Sequence, residues 1–402
     1  VDATIKVEKD VDQRAKVTVI DCSGLSSINR KVFKLFQSDF KISAHFLPSK
    51  KYLKGDFDSS PALDENSFGG DYILKYRVTP STDRVELSIR LYKSQNSQKV
   101  KLLEKNYSIK SLGRYPFLVH QAVIDINDKL GFESIKWLKR YIVYSEYVGK
   151  RESIIGIADY TFTYKKGVIT GGLNIFPIWG DRGQRSIYYT SFDTKMPTLY
   201  RLNLRSGKVN RITSSEGMLI CSDVSEDGKK LLLTMAPNSQ PDIYLYDLNS
   251  NSSRRLTTFS GIDVGGKWAD SQNSIVFVSN RLGYANIFKK SLKSGLVETL
   301  VFHSKNSDSC DASNDKVVYS SKETSDNFGK SFNLYLTTTR ATTPRPLTSG
   351  GMNQFPRFSP DGKTVMYIKR DRSGNLVGYI NLVTNVSMLF PIGINRVQSI
   401  DW

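Results

Sequence analysis

Ile142-Val143-Tyr144-Ser145, Ile187-Tyr188-Tyr189-Thr190, Leu231-Leu232-Leu233-Thr234, Ile275-Val276-Phe277-Val278, Val317-Val318-Tyr319-Ser320 and Val365-Met366-Tyr367-Ile368 are six copies of one short apolar strand. Their first residues lie 45, 44, 44, 42 and 48 positions apart. A second landmark, an aromatic residue in the following strand, recurs at nearly the same step: Tyr200, Tyr244, Phe288, Tyr335 and Tyr379. A period of roughly 40–50 residues with several short strands per repeat is the pattern of a β-propeller, whose blades bury their faces against one another.

Working outward from these strands, each unit reads as strands a, b, c and d, with the quoted strand as b. The a–b turns carry turn chemistry at Glu226-Asp227-Gly228, Asp270-Ser271, Ser313-Asn314-Asp315 and Asp361-Gly362. The c–d turns do the same at Ser206-Gly207, Asn249-Ser250-Asn251 and Ser294-Gly295. Small polar residues and glycine favour such turns because they hydrogen-bond locally or accept a positive φ. Five a strands precede a b strand: 176–179, 221–224, 266–268, 310–312 and 355–358. The first b strand has only Ile135–Trp137 as a weak candidate. The C-terminal Val397-Gln398-Ser399-Ile400-Asp401-Trp402 suits the missing role, which predicts six blades with the C-terminus closing the ring. Closure removes the open sheet edges that invite aggregation.

Upstream the periodicity changes. Lys16–Ile20 reads as a buried strand. Ile28, Val32, Leu35 and Phe36 predict a helix over 27–40, with Ser26 or Ser27 as N-cap. Ile42–Leu47 reads as a strand broken by Pro48. Tyr72–Val78 and Val85–Tyr92 predict a hairpin across 79–83, and Val100–Ile109 a third antiparallel strand. Val119, Ala122, Val123, Ile126 and Leu130 form one apolar helix face, stopped by Gly131. The expected organisation is an N-terminal extension over residues 1–14, flexible by default. An α/β (α+β) domain follows over 15–133, then a six-bladed all-β propeller over 134–402.

The chain has 402 residues, 39% of them hydrophobic and 11% aromatic, enough to bury two cores. No apolar run reaches the ~20 residues of a membrane-spanning helix. Val1-Asp2-Ala3-Thr4 has no basic-then-apolar leader pattern, leaving a cytoplasmic protein or an exported one whose leader is removed. The formal net charge is +18, which favours acidic partners. The basic residues are scattered, however, so a basic solvated surface is the plainer reading and a nucleic-acid groove the lesser one. Cys22, Cys221 and Cys310 make neither a disulfide framework nor a CxxC zinc pattern and read as buried small residues.

Catalytic signals are missing. His45, His120 and His303 are each isolated, and there is no G-x-S-x-G elbow. Gly329-Lys330-Ser331 has Thr324 where a P-loop requires glycine. The Asp-Gly pairs lack the alternating acidic spacing of a calcium loop. No cofactor or metal is expected. A propeller hydrolase or lyase would need convergent carboxylates in the channel, and the a strands offer only Asp223 and Asp311.

What remains is a surface. Alternating strand direction puts the d–a and b–c loops at one end of the blades, and the d–a loops lie nearest the channel because strand a is innermost. Candidate partner-binding residues are Asn174 and Ile175; Met218, Leu219 and Ile220; Ile262, Asp263, Val264 and Gly265; Asp308 and Ser309; and Met352, Asn353 and Gln354. Apolar residues exposed on a ring of polar loops suit protein binding. In the extension, Thr4-Ile5-Lys6-Val7-Glu8 alternates as a strand that could add to a partner's sheet edge.

Phe355-Pro356-Arg357-Phe358-Ser359-Pro360-Asp361-Gly362-Lys363, with degraded copies at 225–229 and 268–273, resembles the blade motif of the TolB family. The resemblance covers nearly the whole chain: extension, α/β domain, propeller and closing C-terminus, with no hydrolase domain. It implies a monomeric, non-enzymatic periplasmic protein of the Tol–Pal envelope system of Gram-negative bacteria, exported with a cleaved signal peptide. It also implies binding of the lipoprotein Pal at the propeller mouth and of TolA through the N-terminal extension, in support of outer-membrane integrity and constriction during cell division. Asn314-Asp315 and Gly180-Asp181-Arg182-Gly183 depart from the family's Pro-Asp-Gly. The face is therefore better specified than any single contact.

Overall fold

The computed structural model describes residues 14–61, 69–95, 98–302, 306–323, 331–371, 374–394 and 396–402. These divide into two compact units, one running to Arg140 and including Asn381–Met388, the other comprising Tyr141–Ile380 and Leu389–Trp402.

The first unit is α/β. Strand β1 (Ala15–Asp21) leads into α1 (Asn29–Ile42), then β2 (Phe46–Pro48), β3 (Leu53–Lys54), β4 (Tyr72–Pro80), β5 (Arg84–Gln95), β6 (Gln98–Lys110) and α2 (Tyr115–Lys129). The sheet order is β2-β1-β4-β5-β6, with β2, β3 and β4 all parallel to β1 and the β4–β5–β6 meander antiparallel. The apolar run of β1 is buried on both faces, as a central parallel strand requires. Val32, Phe36 and Phe40 of α1 and Val119, Ala122, Val123 and Ile126 of α2 are fully or nearly fully buried. Two polar ties sit in this core: His120 Nδ1 lies 2.7 Å from Asp39 Oδ2, both side chains fully enclosed, and His45 Nδ1 lies 2.7 Å from Asn127 Oδ1. These two histidines are thus structural.

Three local expectations change. Helix α1 starts two residues late, at Asn29. Its N-cap Ile28 makes no side-chain cap, and Ser26 Oγ instead accepts the Ile28 N–H at 3.3 Å. Ile42 ends α1 instead of opening a strand, because its fully buried side chain continues the helix's apolar face. Ile135–Trp137 is no inner strand: residues Lys136–Lys139 form a 3-10 turn that buries Trp137 and Leu138.

The second unit is a β-propeller-like array. Strands β7 (Ile142–Gly149), β8 (Glu152–Ala158) and β9 (Lys165–Thr170) come first. Next is a sheet of β10 (Asn174–Trp179), β11 (Ser186–Ser191), β12 (Thr198–Asn203) and β13 (Val209–Ser214), then one of β14 (Leu219–Val224), β15 (Lys230–Met235), β16 (Asp242–Asp247) and β17 (Ser252–Arg255). The sheet of β18 (Asp263–Ala269), β19 (Ser274–Ser279), β20 (Asn286–Ser291) and β21 (Val297–Thr299) follows. Strands β22 (Ser307–Ser313), β23 (Lys316–Glu323), β24 (Ser331–Thr338) and β25 (Arg345–Pro346) precede β26 (Met352–Phe358), β27 (Thr364–Asp371), β28 (Gly374–Asn381) and β29 (Ser387–Pro391). The single parallel pair Phe332–Met352 joins these last two groups into one eight-stranded sheet. Finally β30 (Val397–Asp401) pairs antiparallel with β7, giving the order β30-β7-β8-β9. The six quoted b strands are β7, β11, β15, β19, β23 and β27, and their side chains are almost all buried on both faces.

Aromatic packing ties the end of the chain to the first sheet. Tyr160, in the β8–β9 turn, packs edge-on against Tyr379 and Phe390 at 5.5 Å each, and Tyr379 packs on Trp402 at 5.6 Å. The Tyr379 hydroxyl donates to Tyr160 O at 2.6 Å.

Candidate protein-interaction face

In every sheet the first strand begins at the end where the preceding sheet's last strand stops, so the d–a and b–c loops share one end. Most of the expected contact residues prove to be the opening residues of a strands, not loop residues, and this decides their exposure. Leu219 and Asp263 are fully buried, and Asn353, Ile175 and Asn174 nearly so. Ile175 and Leu219 therefore depart from the expected exposed apolar set, because the inner strand starts early enough to carry them under the neighbouring sheet. Asn174 Nδ2 donates to Gly171 O at 2.8 Å, and Asn353 Nδ2 donates to Gly350 O at 2.9 Å and Phe332 O at 3.0 Å. Both asparagines fix their d–a loops from inside. Met218 and Ile262 are exposed, at 39% and 46%. Ile220, Val264, Gly265, Ser309, Met352 and Gln354 are half-buried, and Asp308 is exposed. Asp308 and Gln354 are brought together by a Gln354 Nε2 to Asp308 Oδ2 hydrogen bond, and Ser309 Oγ donates to Asp308 Oδ1 at 3.0 Å. Thr4, Ile5, Lys6, Val7 and Glu8 lie outside the described residues, as do His303 and Thr324–Lys330.

Several residues at this end carry no sequence signal. Val148, near the end of β7, Met196 and Leu282, on b–c loops, and Phe302, on a d–a loop, are exposed apolar side chains. Phe176 and Phe355 sit at equivalent bulges in β10 and β26 with φ of 57° and 55°. Such a backbone costs a bulky residue of order 1–3 kcal/mol and is held only where its surroundings fix it. Each precedes a proline, but the left-handed conformation itself is invisible in sequence.

The inner strands also carry a ring of charge. Asp223 Oδ2 accepts the Trp268 N–H, Asp311 Oδ2 the Phe358 N–H and Asp401 Oδ2 the Trp179 N–H, each at 2.8 Å. Lys267 Nζ lies 3.5 Å from Asp311 Oδ1 and Arg357 Nε 3.8 Å from Asp401 Oδ1. Burial pushes the Asp223 carboxyl up to about 6, opposed by Lys267, and raises Asp401 as well. Each carboxylate clasps the next sheet's inner strand. Among the described residues no group of three or more His, Cys, Asp or Glu side chains is placed to hold a metal ion. Burial also raises the thiols of Cys221 and Cys310, the latter to about 12, which keeps both protonated and unreactive at neutral pH. No described helix is long and apolar enough to cross a membrane.

Comparison with known proteins places this architecture. The family model described as the TolB beta propeller domain matches residues 140–397. The chain is 40% identical over 411 residues to the Tol-Pal system protein TolB of Wolinella succinogenes, covering all of this chain and 96% of that protein. It is 39% identical over 390 residues to the protein of the same name from Campylobacter jejuni, covering 96% and 92%. The crystal structure of TolB from Acinetobacter baumannii superposes with a TM-score of 0.79 at 24% identity over 97% of each chain, a likeness of fold. The chain belongs to the TolB family, whose members are non-enzymatic components of the Tol–Pal envelope system.

Proposed function

We infer that this protein is a periplasmic adaptor that binds the lipoprotein Pal through the end of the propeller carrying the d–a loops, and TolA through residues Thr4–Glu8. In this role it would support outer-membrane integrity and invagination during division. The reading includes export with a cleaved leader, an extension over 1–14, an α/β domain over 15–133 and a six-bladed ring over 134–402 closed by β30 beside β7. The antiparallel β30–β7 pairing and the Tyr160–Tyr379–Trp402 packing support the closure.

One observation carries the partner-binding part. Val148, Met196, Met218, Ile262, Leu282 and Phe302, all large, apolar and exposed, sit at the same end of the sheets. Among the described residues of the second unit, six of the nine exposed large apolar side chains are these, the others being Val209, Leu296 and Leu389; such a group, rimmed by polar loops, marks a protein-binding surface. The test is calorimetry with the soluble domain of the cognate Pal. Wild-type protein should bind, and Met218→Asp together with Phe302→Asp, both at exposed side chains, should weaken binding at least tenfold with an unchanged melting temperature. Two folded proteins that give no heat and no complex would overturn the reading. Removal of residues 1–12 should abolish capture of TolA and leave Pal binding intact.

A further inference from the structure

The b–c loop after β19 and the d–a loop before β18 are fastened to each other by two separate ties. Asp263, fully buried at the start of β18, faces Arg281, whose Nη2 lies 3.0 Å from both carboxylate oxygens. Arg281 Nε donates to Ser279 Oγ at 2.9 Å. Its guanidinium carbon stands 5.1, 5.4 and 4.9 Å from the ring centroids of Phe259, Phe277 and Phe288. A planar cation paired with a desolvated carboxylate and packed on three aromatic rings has little rotamer freedom left. Asn280 adds a second tie: its Oδ1 accepts the Ile262 N–H at 2.7 Å, and its own N–H donates to Ile262 O at 3.2 Å. Gly261 makes room for this, since a Cβ there would stand 2.2 Å from Asn280 Oδ1 and 2.4 Å from the Phe259 ring.

The residues next to the ion pair are the informative ones. Ile262 precedes Asp263 and is 46% exposed; Leu282 follows Arg281 and is 47% exposed. The pair thus fixes the backbone at the root of two solvent-facing apolar side chains. A buried ion pair is a poor source of stability compared with an apolar core. It is a good means of holding two loops in one register, and pre-ordered anchors bind tighter because less entropy is lost on association.

We propose that Arg281 and Asp263 are positioning residues that hold Ile262 and Leu282 as a pre-ordered apolar anchor for a complementary apolar patch on the lipoprotein partner. This rests on the partner reading above.

The test is a double-mutant cycle on the full chain, with affinity and dissociation rate for the soluble domain of the cognate Pal as readouts. The paired change Ile262→Ser with Leu282→Ser should weaken binding at least tenfold with an unchanged melting temperature. Arg281→Lys keeps the charge but not the planar packing, and should weaken binding three- to tenfold, mainly through faster dissociation. In the Ile262→Ser, Leu282→Ser background, Arg281→Lys should add less than twofold. If Arg281→Lys does not fold, Asn280→Ala, which removes only the tie to Ile262, takes its place in the cycle. Wild-type affinity in the double-serine protein overturns the proposal, as does an equal loss from Arg281→Lys in both backgrounds. Absence of binding by wild-type protein overturns the partner reading instead.

Discussion

Asp223→Asn should change the pH dependence of propeller stability more than its absolute value. The Asp223 carboxyl is half-buried on β14 and accepts two backbone N–H groups, Trp268 on Oδ2 and Val224 on Oδ1, both at 2.8 Å. Around it three aspartates, Asp223, Asp311 and Asp401, share the two cations Lys267 and Arg357. Those cations stand nearest Asp311 and Asp401. From its other neighbours, β10 presents no charged residue, and Cys221 stays protonated. Desolvation therefore lifts Asp223 from 3.8 to about 6. A carboxyl whose folded pKa exceeds its unfolded pKa binds more protons when folded between those two values. Its favourable contribution is present below about 4 and is lost as pH rises through about 6. At 1.36 kcal/mol per pKa unit, the loss between pH 4 and pH 8 is about 2.5 kcal/mol. Asn cannot titrate, so the stability difference, variant minus wild type, should rise by about that amount over the same range. This holds even though the amide offers only one oxygen to the two N–H groups and sets its own fixed offset. Denaturant unfolding followed by tryptophan fluorescence at pH 4, 5, 6, 7 and 8 measures the difference directly. Parallel curves for the two proteins would refute the account of a surplus carboxylate.

Two further substitutions probe the array. Gly378→Ala would set a Cβ 2.3 Å from the Tyr367 ring, a buried neighbour with no room to retreat. It should cost about 1–3 kcal/mol by denaturant titration, and Gly156→Ala against Tyr144 should behave alike. Tyr379→Phe removes the hydroxyl bond to Tyr160 O but keeps the ring stack. It should cost about 1–3 kcal/mol because a buried carbonyl loses a partner, and hydrogen exchange should rise first in β30.

The legible parts of this fold are those where one residue's chemistry decides. Val85–Leu91 alternates cleanly and follows the apolar run Tyr72–Val78 across a turn, and β4 and β5 form there. Gly131 ends the α2 region with φ of 73°. The place of the last strand beside β7 could be read because Val397–Asp401 repeats the a-strand pattern at the end of the count. Burial at the strand starts could not be read. Ile175 is the second residue of β10 and Leu219 the first of β14, and whether a strand begins before or after such a residue depends on cross-sheet packing. The tie beneath Ile262 and Leu282 joins residues 18 positions apart, and Asn280-Arg281-Leu282-Gly283 in isolation reads as an ordinary polar turn.

The inner strands obey a period twice that of the blade. Clasping aspartates stand at 223, 311 and 401, steps of 88 and 90, while the N–H groups they hold belong to residues 179, 268 and 358, steps of 89 and 90. Between them the residue before the clasped N–H is Ile178, Lys267 or Arg357. Sheets therefore act in pairs, one lending a carboxylate and the next lending a backbone N–H and, in two of three cases, a cation. Ile178 takes the cation's place in the remaining pair, so there is one more carboxylate than cations, and Asp223 is raised to about 6 with Asp401 raised beside it. An Ile178→Lys substitution would supply the missing cation. It should pull the Asp223 titration back toward the ordinary carboxylate range and flatten the pH dependence that Asp223→Asn also removes. If the two changes fail to converge on one pH profile, charge counting around the ring is the wrong description of its electrostatics.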